Sequence, residues 1–453
     1  MKIFGSSGTR GVAGEELTPE FVLRVAKAAA SVWDADRVAL GRDTRTTGAM
    51  FSDAAAAGIA SAGVDVARLG VTPTPATVRY CEDESIPGVL ITASHNPPEY
   101  NGVKLVGDDG IELPVDRLER IEGALVAETF DAAPWDEVGG TTHVTDANED
   151  YVAEMLATVG REAIADADLT VALDPGHGAG ALTSPDFFHE LGCEVVTVNA
   201  QPDGHFPGRD PEPVEANLGD LGRLVRAADA DVGIAHDGDA DRAIFFDERG
   251  RYVEGDASLA ALAAHTLSAG DTTVAAVNVS QRLVDVCEAA GATLELTPIG
   301  STNIITRIRQ LWAADESVPI AGEGNGGVFF PDYRLVRDGA FIGAKFLELL
   351  AERRESVSEI VAPYGDYHNV RLNLVYDDER ELDAMLAAAE EYAAAADATP
   401  TTIDGHRLDY GDAWVLVRPS GTEPKVRIYA EARDRDRAAG LAAEVHEALD
   451  DAR

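Results

Sequence analysis

Short apolar, β-branched runs alternate along this chain with longer Ala- and Leu-rich stretches whose apolar positions recur at helical spacing. "RVALGRD", "VDVARLGVTPTP" and "GVLITASHNPP" read as three strands with their following loops, and "FSDAAAAGIASAG" as the helix between the first two. The same order returns in "LTVALDPGHG", "CEVVTVNAQPDG" and "DVGIAHDGDADR", with "PDFFHELG" as the helix. It returns once more in "TTVAAVNVS", "ATLELTPIGSTN" and "VPIAGEGNGG", with "RLVDVCEAAG" between. A unit repeated three times predicts three related α/β domains with mixed, mostly parallel sheets. From about Asp366 the pattern changes. "HRLDYGDAWVLVRPSGTEPKVRIYAEARDRDRAAGLAAEVHEAL" reads as a hairpin followed by an amphipathic helix, hence a small C-terminal α+β domain. The implied boundaries are 1–150, 151–255, 256–365 and 366–453.

In such sheets ligands sit beyond the carboxyl ends of the strands. The third strand of each repeat ends in a polar loop containing Gly or Asn: "SHNPP", "DGDADR" and "GEGNGG". Three loops on equivalent sheet edges can converge on one cleft. The C-terminal region adds a fourth polar loop, "RPSGTEPK".

Composition narrows the classes. A chain of 453 residues is too long for one core, and 45% hydrophobic with 26% charged residues is an ordinary globular mix. No apolar run approaches a membrane span, and "MKIFGSSGTRG" lacks the apolar stretch of a secretory leader. Cys81, Cys193 and Cys287 form neither a zinc pair nor a disulfide framework, so a reducing cytoplasm is the expected location. The net charge of -43 argues against a nucleic-acid partner, which would need a basic face. Lysine occurs only at Lys2, Lys27, Lys104, Lys345 and Lys425. An acidic, lysine-poor chain suggests a salt-loving organism, because molar salt screens the self-repulsion of such a surface. Basic residues inside motifs then carry more information than usual.

"DGDADR" sets Asp237, Asp239 and Asp241 at alternate positions. Carboxylates this close repel unless a hard cation such as Mg²⁺ or Ca²⁺ neutralises them. An EF-hand is excluded, although Glu248 lies at the twelfth position: the sixth is Arg242 rather than Gly, and the flanks are strand-like. A solvated acidic turn is the competing reading; against it stands Arg242, whose guanidinium suits phosphate oxygens. "RPSGTEPK" offers Arg418, Ser420, Gly421, Thr422 and Lys425, either a phosphate cradle or a plain turn, but not a Walker A loop. "GEGNGG" offers Glu323 and Asn325, which suit paired sugar hydroxyls or merely decorate a glycine turn. In "SHNPP", Ser94 and His95 are adjacent, and on an extended segment they point opposite ways, so no Ser–His acyl-transfer pair is expected. No GxSxG elbow occurs. A serine that carries a phosphoryl group beside a metal fits better, with Lys104 just downstream and Arg10 in the glycine frame "GSSGTRG". A nucleophilic hydroxyl, a carboxylate metal site, a polyol reader and a phosphate cradle together describe phosphoryl transfer on a phosphosugar.

With "TASHNP", "DGDADR", "GEGNGG" and "RPSGTEP" in this order, the whole chain resembles the α-D-phosphohexomutases: phosphoglucomutase, phosphomannomutase and phosphoglucosamine mutase. Segments such as "VNAQPDGHFPGRDPEP" resemble archaeal members. The resemblance implies four domains around a central cleft and an isomerase that interconverts hexose 6-phosphate and 1-phosphate through a sugar bisphosphate. It implies phosphoserine at Ser94, and one Mg²⁺ per chain bound by a phosphate oxygen with Asp237, Asp239 and Asp241. Arg242 would lie beside the transferring phosphoryl. Arg10, His95 and Lys104 would surround it, with Lys104 exchanging a proton with the sugar hydroxyl. Glu323 and Asn325 would hold sugar hydroxyls. Arg418, Ser420, Gly421 and Thr422 would grip the phosphate that is not transferred. Asn325 stands where well-known bacterial members have Ser, and the archaeal likeness favours glucosamine phosphate. Phosphomannomutase/phosphoglucomutase and phosphopentomutase are alternatives, and a metal-dependent sugar phosphatase or a non-catalytic sugar-phosphate binder lie outside the family. The expected partner is a small phosphosugar, with no nucleic acid or membrane, for a monomer or homodimer.

Overall fold

The computed structural model describes residues 4–5, 8–130, 132–420 and 424–453. It divides into two compact units, 1–258 with 325–360, and 259–324 with 361–453.

The first unit opens on a six-stranded sheet: β1 (Thr9–Val12), β2 (Arg37–Arg42), β3 (Asp65–Val71), β4 (Gly88–Ile91), β5 (Tyr100–Val106) and β6 (Thr141–His143), in the order β1-β5-β4-β2-β3-β6. β2 lies between β3 and β4 and is parallel to both, while β5 returns antiparallel to β4. β4 is buried along its whole length, as expected of a strand covered on both faces. Helices Pro19–Val32 and Gly48–Ser61 pack against each other through small residues. Ala26 and Ala29 from the first and Ala55 and Ala56 from the second belong to one core cluster. Thr18 caps the first helix, its hydroxyl accepting from Phe21 N at 3.3 Å.

The second sheet contains β7 (Thr170–Asp174), β8 (Glu194–Thr197), β9 (Val232–Ala235), β10 (Ile244–Phe246) and β11 (Tyr252–Val253), ordered β11-β10-β9-β7-β8. β7 lies between β9 and β8 and is parallel to both. The unit is completed by a hairpin of Gly327–Phe330 and Arg334–Arg337 and the buried helix Gly339–Arg353.

In the second unit, β12 (Thr272–Ala276) lies between β13 (Thr293–Thr297) and β14 (Ala321–Glu323), all parallel. The strand order of the three expected repeats is therefore the same, with the first strand in the middle. The C-terminal domain is a five-stranded sheet, antiparallel throughout its assigned pairs. Its core includes the expected hairpin, Ala413–Pro419 with Lys425–Ala432, and the expected helix Arg435–Asp450. The pattern missed the strand His368–Val375 and the helix Glu379–Ala395, which complete this domain. That strand is exposed at four positions and buried at one, so its hydrophobic signal is weak.

Candidate active site

Beyond β4 the chain turns sharply. Ser94 has φ +50°, a left-handed backbone uncommon for a residue with a side chain. Its amide donates to Thr92 Oγ1 at 2.9 Å, and its carbonyl accepts from Arg45 Nη2 at 2.9 Å. The turn aims the hydroxyl at the loop after β9, where Ser94 Oγ donates to Asp237 Oδ2 at 2.6 Å.

This backbone corrects one expectation. Ser94 and His95 do not point apart, because the segment is not extended; Ser94 Oγ and His95 Nδ1 lie 3.3 Å from each other. The pair is nonetheless no acyl-transfer dyad. His95 Nδ1 accepts from Arg242 Nη2 at 3.0 Å, so its lone pair is already engaged. The charge of Arg242, burial and Arg10 hold the imidazole pKa far below its usual value, keeping the ring neutral.

The loop after β9 folds back on itself. Asp241 N donates to Asp237 Oδ1 at 3.1 Å, and His236 Nδ1 bonds the Arg242 carbonyl at 2.8 Å. Asp237, Asp239 and Asp241 are all buried, and one oxygen from each lies within 4.8 Å of the others. Asp239 Oδ1 and Asp241 Oδ1 are buried without a hydrogen-bond partner. Three convergent carboxylates with unmet oxygens fit a hard divalent cation. Their electrostatics agree: burial, then Asp241 and Asp239, push Asp237 up to about 7. Burial opposes the charge of Asp239 too, but Lys104, Thr74 and Arg10 outweigh it and hold that carboxylate well below its usual range.

Cations ring the cluster. Lys104 Nζ, from β5, is 3.0 Å from Asp239 Oδ2 and 3.5 Å from Asp241 Oδ2. Burial works against its charge, yet the two carboxylates win and its pKa is raised, so Lys104 is a cation here. Arg242 Nε lies 3.8 Å from both Asp237 and Asp241, and Arg10 Nη1 donates to Asn96 Oδ1 at 2.7 Å. Arg337, which sequence reasoning missed, donates from Nη2 to Asp241 Oδ2 at 2.5 Å. Its motif, "RLVRDG", is an ordinary strand end that only folding brings here.

Arg10, Ser94, His95, Lys104, Asp237, Asp239, Asp241 and Arg242 are thus brought together in one unit. Asn325 joins them through the turn before the hairpin. Its Oδ1 accepts from Gly327 N at 2.9 Å, and Ala243 N donates to the Gly326 carbonyl at 3.0 Å. Glu323 ends β14 in the other unit, where it is buried. Arg418 and Ser420 lie at the tip of the C-terminal hairpin. There Arg418 Nε pairs with Asp404 Oδ1 at 3.1 Å and Ser420 N donates to the Lys425 carbonyl at 2.8 Å. Gly421 and Thr422 fall outside the described residues. Also missed were Asp43 and Arg45, in "GRDTR" after β2, and Asp174 and Arg209 in the second domain. A usable signal existed: an aspartate stands at the carboxyl end of the first strand in the first two repeats, Asp43 just after β2 and Asp174 as the last residue of β7.

Four family models match in sequence order. They are the phosphoglucomutase/phosphomannomutase α/β/α domains I, II and III, over residues 1–132, 149–250 and 254–367, and the C-terminal domain over residues 372–448. A phosphoglucomutase/phosphomannomutase of Thermococcus kodakarensis is 39% identical, with 96% of each chain covered. A probable phosphoglucosamine mutase of Methanococcoides burtonii is 38% identical, again with 96% of each chain covered. Among solved structures, a phosphoglucomutase/phosphomannomutase family protein from Burkholderia thailandensis superposes with a TM-score of 0.86 at 28% identity, covering all of this chain and 97% of its own. A serine and a carboxylate cluster ringed by cations, carried on four matching domains, lead to one conclusion: the chain belongs to the phosphoglucomutase/phosphomannomutase family and is a phosphohexomutase.

Proposed function

We propose that this enzyme converts glucosamine 6-phosphate to glucosamine 1-phosphate through a phosphoserine at Ser94 and a bisphosphorylated sugar. The observation that carries the mechanism is the 2.6 Å contact between Ser94 Oγ and Asp237 inside the carboxylate cluster. In the first half-reaction a sugar hydroxyl attacks phosphorus. The P–O bond to Ser94 breaks, a P–O bond to the sugar forms, and the proton passes from the sugar hydroxyl to Ser94 Oγ. The second half-reaction runs the same exchange in reverse with the other phosphate of the bisphosphate.

Asp237, Asp239 and Asp241, with an oxygen on Ser94, would hold Mg²⁺. When bound, the ion offsets charge on the phosphoryl oxygens. Arg10, Arg242 and Lys104 face the same charge from the protein side. Lys104 is held protonated by Asp239 and Asp241, which suits it to donate to an oxygen rather than to remove a proton at rest. His95, neutral and fixed by Arg242, presents an uncharged ring beside the phosphate. Glu323 and Asn325 would take sugar hydroxyls, and Arg418 and Ser420 the phosphate that stays in place.

Glucosamine is favoured by relatives such as that of M. burtonii, whereas the T. kodakarensis relative supports glucose or mannose phosphate as a second reading. Comparing kcat/KM across glucosamine, glucose, mannose and pentose phosphates decides between them. Phosphorus NMR of enzyme with Mg²⁺ and glucosamine 6-phosphate should show the 1-phosphate. Release of inorganic phosphate instead would make the enzyme a phosphatase. Intact mass should show one added phosphoryl group, absent from Ser94→Ala. The net charge of -43 supports adaptation to high salt, which a melting temperature that rises through molar KCl would bear out.

A further inference from the structure

The side chain of Arg45 is fully buried and touches none of the three aspartates. Its guanidinium has five N–H donors, and each is spent on a separate bond. Nε donates to Asp43 Oδ2 at 3.0 Å. Nη1 donates to the carbonyls of Pro97 at 2.6 Å and Tyr100 at 2.9 Å. Nη2 donates to those of Ser94 at 2.9 Å and Asn96 at 2.6 Å. One side chain thereby gathers three carbonyls from the loop between β4 and β5 and a fourth from the first residue of β5. Asp43 Oδ2 also accepts from Thr92 Oγ1 at 2.7 Å, and that oxygen in turn accepts from Ser94 N at 2.9 Å. Both peptide groups of Ser94 therefore end on the Asp43–Arg45 pair. The Phe206 ring closes the assembly, 5.3 Å from the guanidinium carbon.

A left-handed serine is an unfavourable conformation that persists only where its surroundings over-determine it. Without this network the loop has no reason to keep Ser94 there, and the hydroxyl loses its line to Asp237. We propose that Arg45, backed by Asp43, is a positioning residue for phosphoryl transfer: it sets the serine backbone so that Oγ meets the metal cluster and the phosphoryl is passed to sugar rather than to water. The inference rests on Ser94 as the phosphoryl carrier. Loss to water is a simple exchange, in which phosphoserine and water give serine and inorganic phosphate.

The test is Arg45→Lys, whose ammonium has three donors for five acceptors. Misplacement of reacting atoms by about an ångström costs roughly 10²-fold in rate, so kcat for a hexose 6-phosphate should fall by about that factor. KM should stay within about threefold, because Arg45 does not reach any of the residues assigned to the sugar. Phosphate released per mutase turnover should rise at least about tenfold, counted per phosphoserine-bearing molecule by intact mass. A variant that keeps its kcat and its low phosphate leak overturns the proposal, even if it melts earlier. If Arg45→Lys does not fold, Thr92→Val serves; it removes only the bonds to Asp43 and Ser94 N, and an unchanged kcat and leak there overturn the proposal equally. Ser94→Ala run alongside separates the two ideas. Activity retained in Ser94→Ala sinks the carrier role and this inference with it. Activity lost there but intact in Arg45→Lys sinks only the positioning role.

Discussion

The serine loop and the aspartate loop both follow the third strand of the same strand order, and each is tied to a buried Arg–Asp pair. The ties are built differently. In the first domain, Asp43 and Arg45 are two residues apart, and Arg45 takes three carbonyls of the serine loop and a fourth from the first residue of β5. In the second domain, Asp174 ends β7, and its partner Arg209 arrives from the long loop after β8. Arg209 reaches the neighbouring segments through the carbonyls of Asp174, Asp210, Pro211 and His236, the last at 2.5 Å. The aspartate loop then gains backbone bonds from several directions: Ala179 N to Gly238 O, Thr74 N to Asp239 O, Gly339 N to Ala240 O, and Ala243 N to Gly326 O. The serine loop depends mainly on one guanidinium. The lesson is one of redundancy. A loop that must hold three like charges together is pinned through its backbone from many segments, whereas the backbone of a loop that presents one hydroxyl is held chiefly by one side chain.

The chemistry common to both loops gives the largest expected effect. Asp239→Asn removes a carboxylate that faces Lys104 and Thr74, and should lower kcat by roughly 10²–10³-fold and weaken Mg²⁺ binding measured by calorimetry. Near-normal Mg²⁺ affinity would place the ion elsewhere. The contact between the loops comes next. A Cβ on Gly238 would lie 2.6 Å from the Ser94 carbonyl oxygen, so one loop must shift. Gly238→Ala should cost roughly 10–10²-fold in kcat, while Gly123→Ala, with open space around it, should cost nothing. Equal behaviour of the two variants would mean that the loops do not need their close approach.

Arg209→Lys keeps the charge but offers three donors in place of five, leaving buried carbonyls unpaired, and should destabilise the fold by roughly 3 kcal/mol. Its kcat per folded molecule should nevertheless fall less than in Arg45→Lys, because the other backbone bonds still hold the aspartate loop. An equal or greater kcat loss would show that the aspartate loop depends on its arginine as much as the serine loop does. The smallest effect concerns the support beneath that loop. Asp338 caps helix Gly339–Arg353, accepting from Phe341 N at 3.0 Å, and its other oxygen is buried without a partner. Burial pushes its pKa up to about 6, with the Phe341 amide and the Tyr151 hydroxyl opposing. The folded state therefore keeps a proton that the unfolded chain gives up near 3.8. Stability contributed by this group should fall as pH rises from about 4 to about 6 and stay level above, by at most about 3 kcal/mol. Asp338→Asn cannot titrate, so urea midpoints should drop with pH in the parent more than in the variant over that window. Parallel curves would show that Asp338 is ionised throughout.

Much of this was legible from the chain. The triple repeat follows from apolar periodicity, since strands covered on both faces must be apolar runs and the helices between them amphipathic. The aspartate cluster was legible because its three carboxylates are local, alternating within five residues. Ser94, His95, Lys104 and Arg10 were legible as types standing out in an acidic, lysine-poor chain and through family likeness. Arg45, Arg209 and Arg337 were not, because an arginine's job is set by what lies at the far end of its side chain. Arg337 lies 96 residues from the aspartate it meets, and Arg45 lies 49 from the serine it sets. The geometry of Ser94 itself misled as sequence. Adjacent residues alternate only on an extended backbone, and at φ +50° serine and histidine turn to the same side. Sequence alone therefore determined which chemical groups are present and the order of the elements that carry them. Tertiary structure alone decided which hydroxyl meets which carboxylate, and which arginines serve the backbone rather than the phosphate, because those choices are made by hydrogen bonds between segments far apart in the chain.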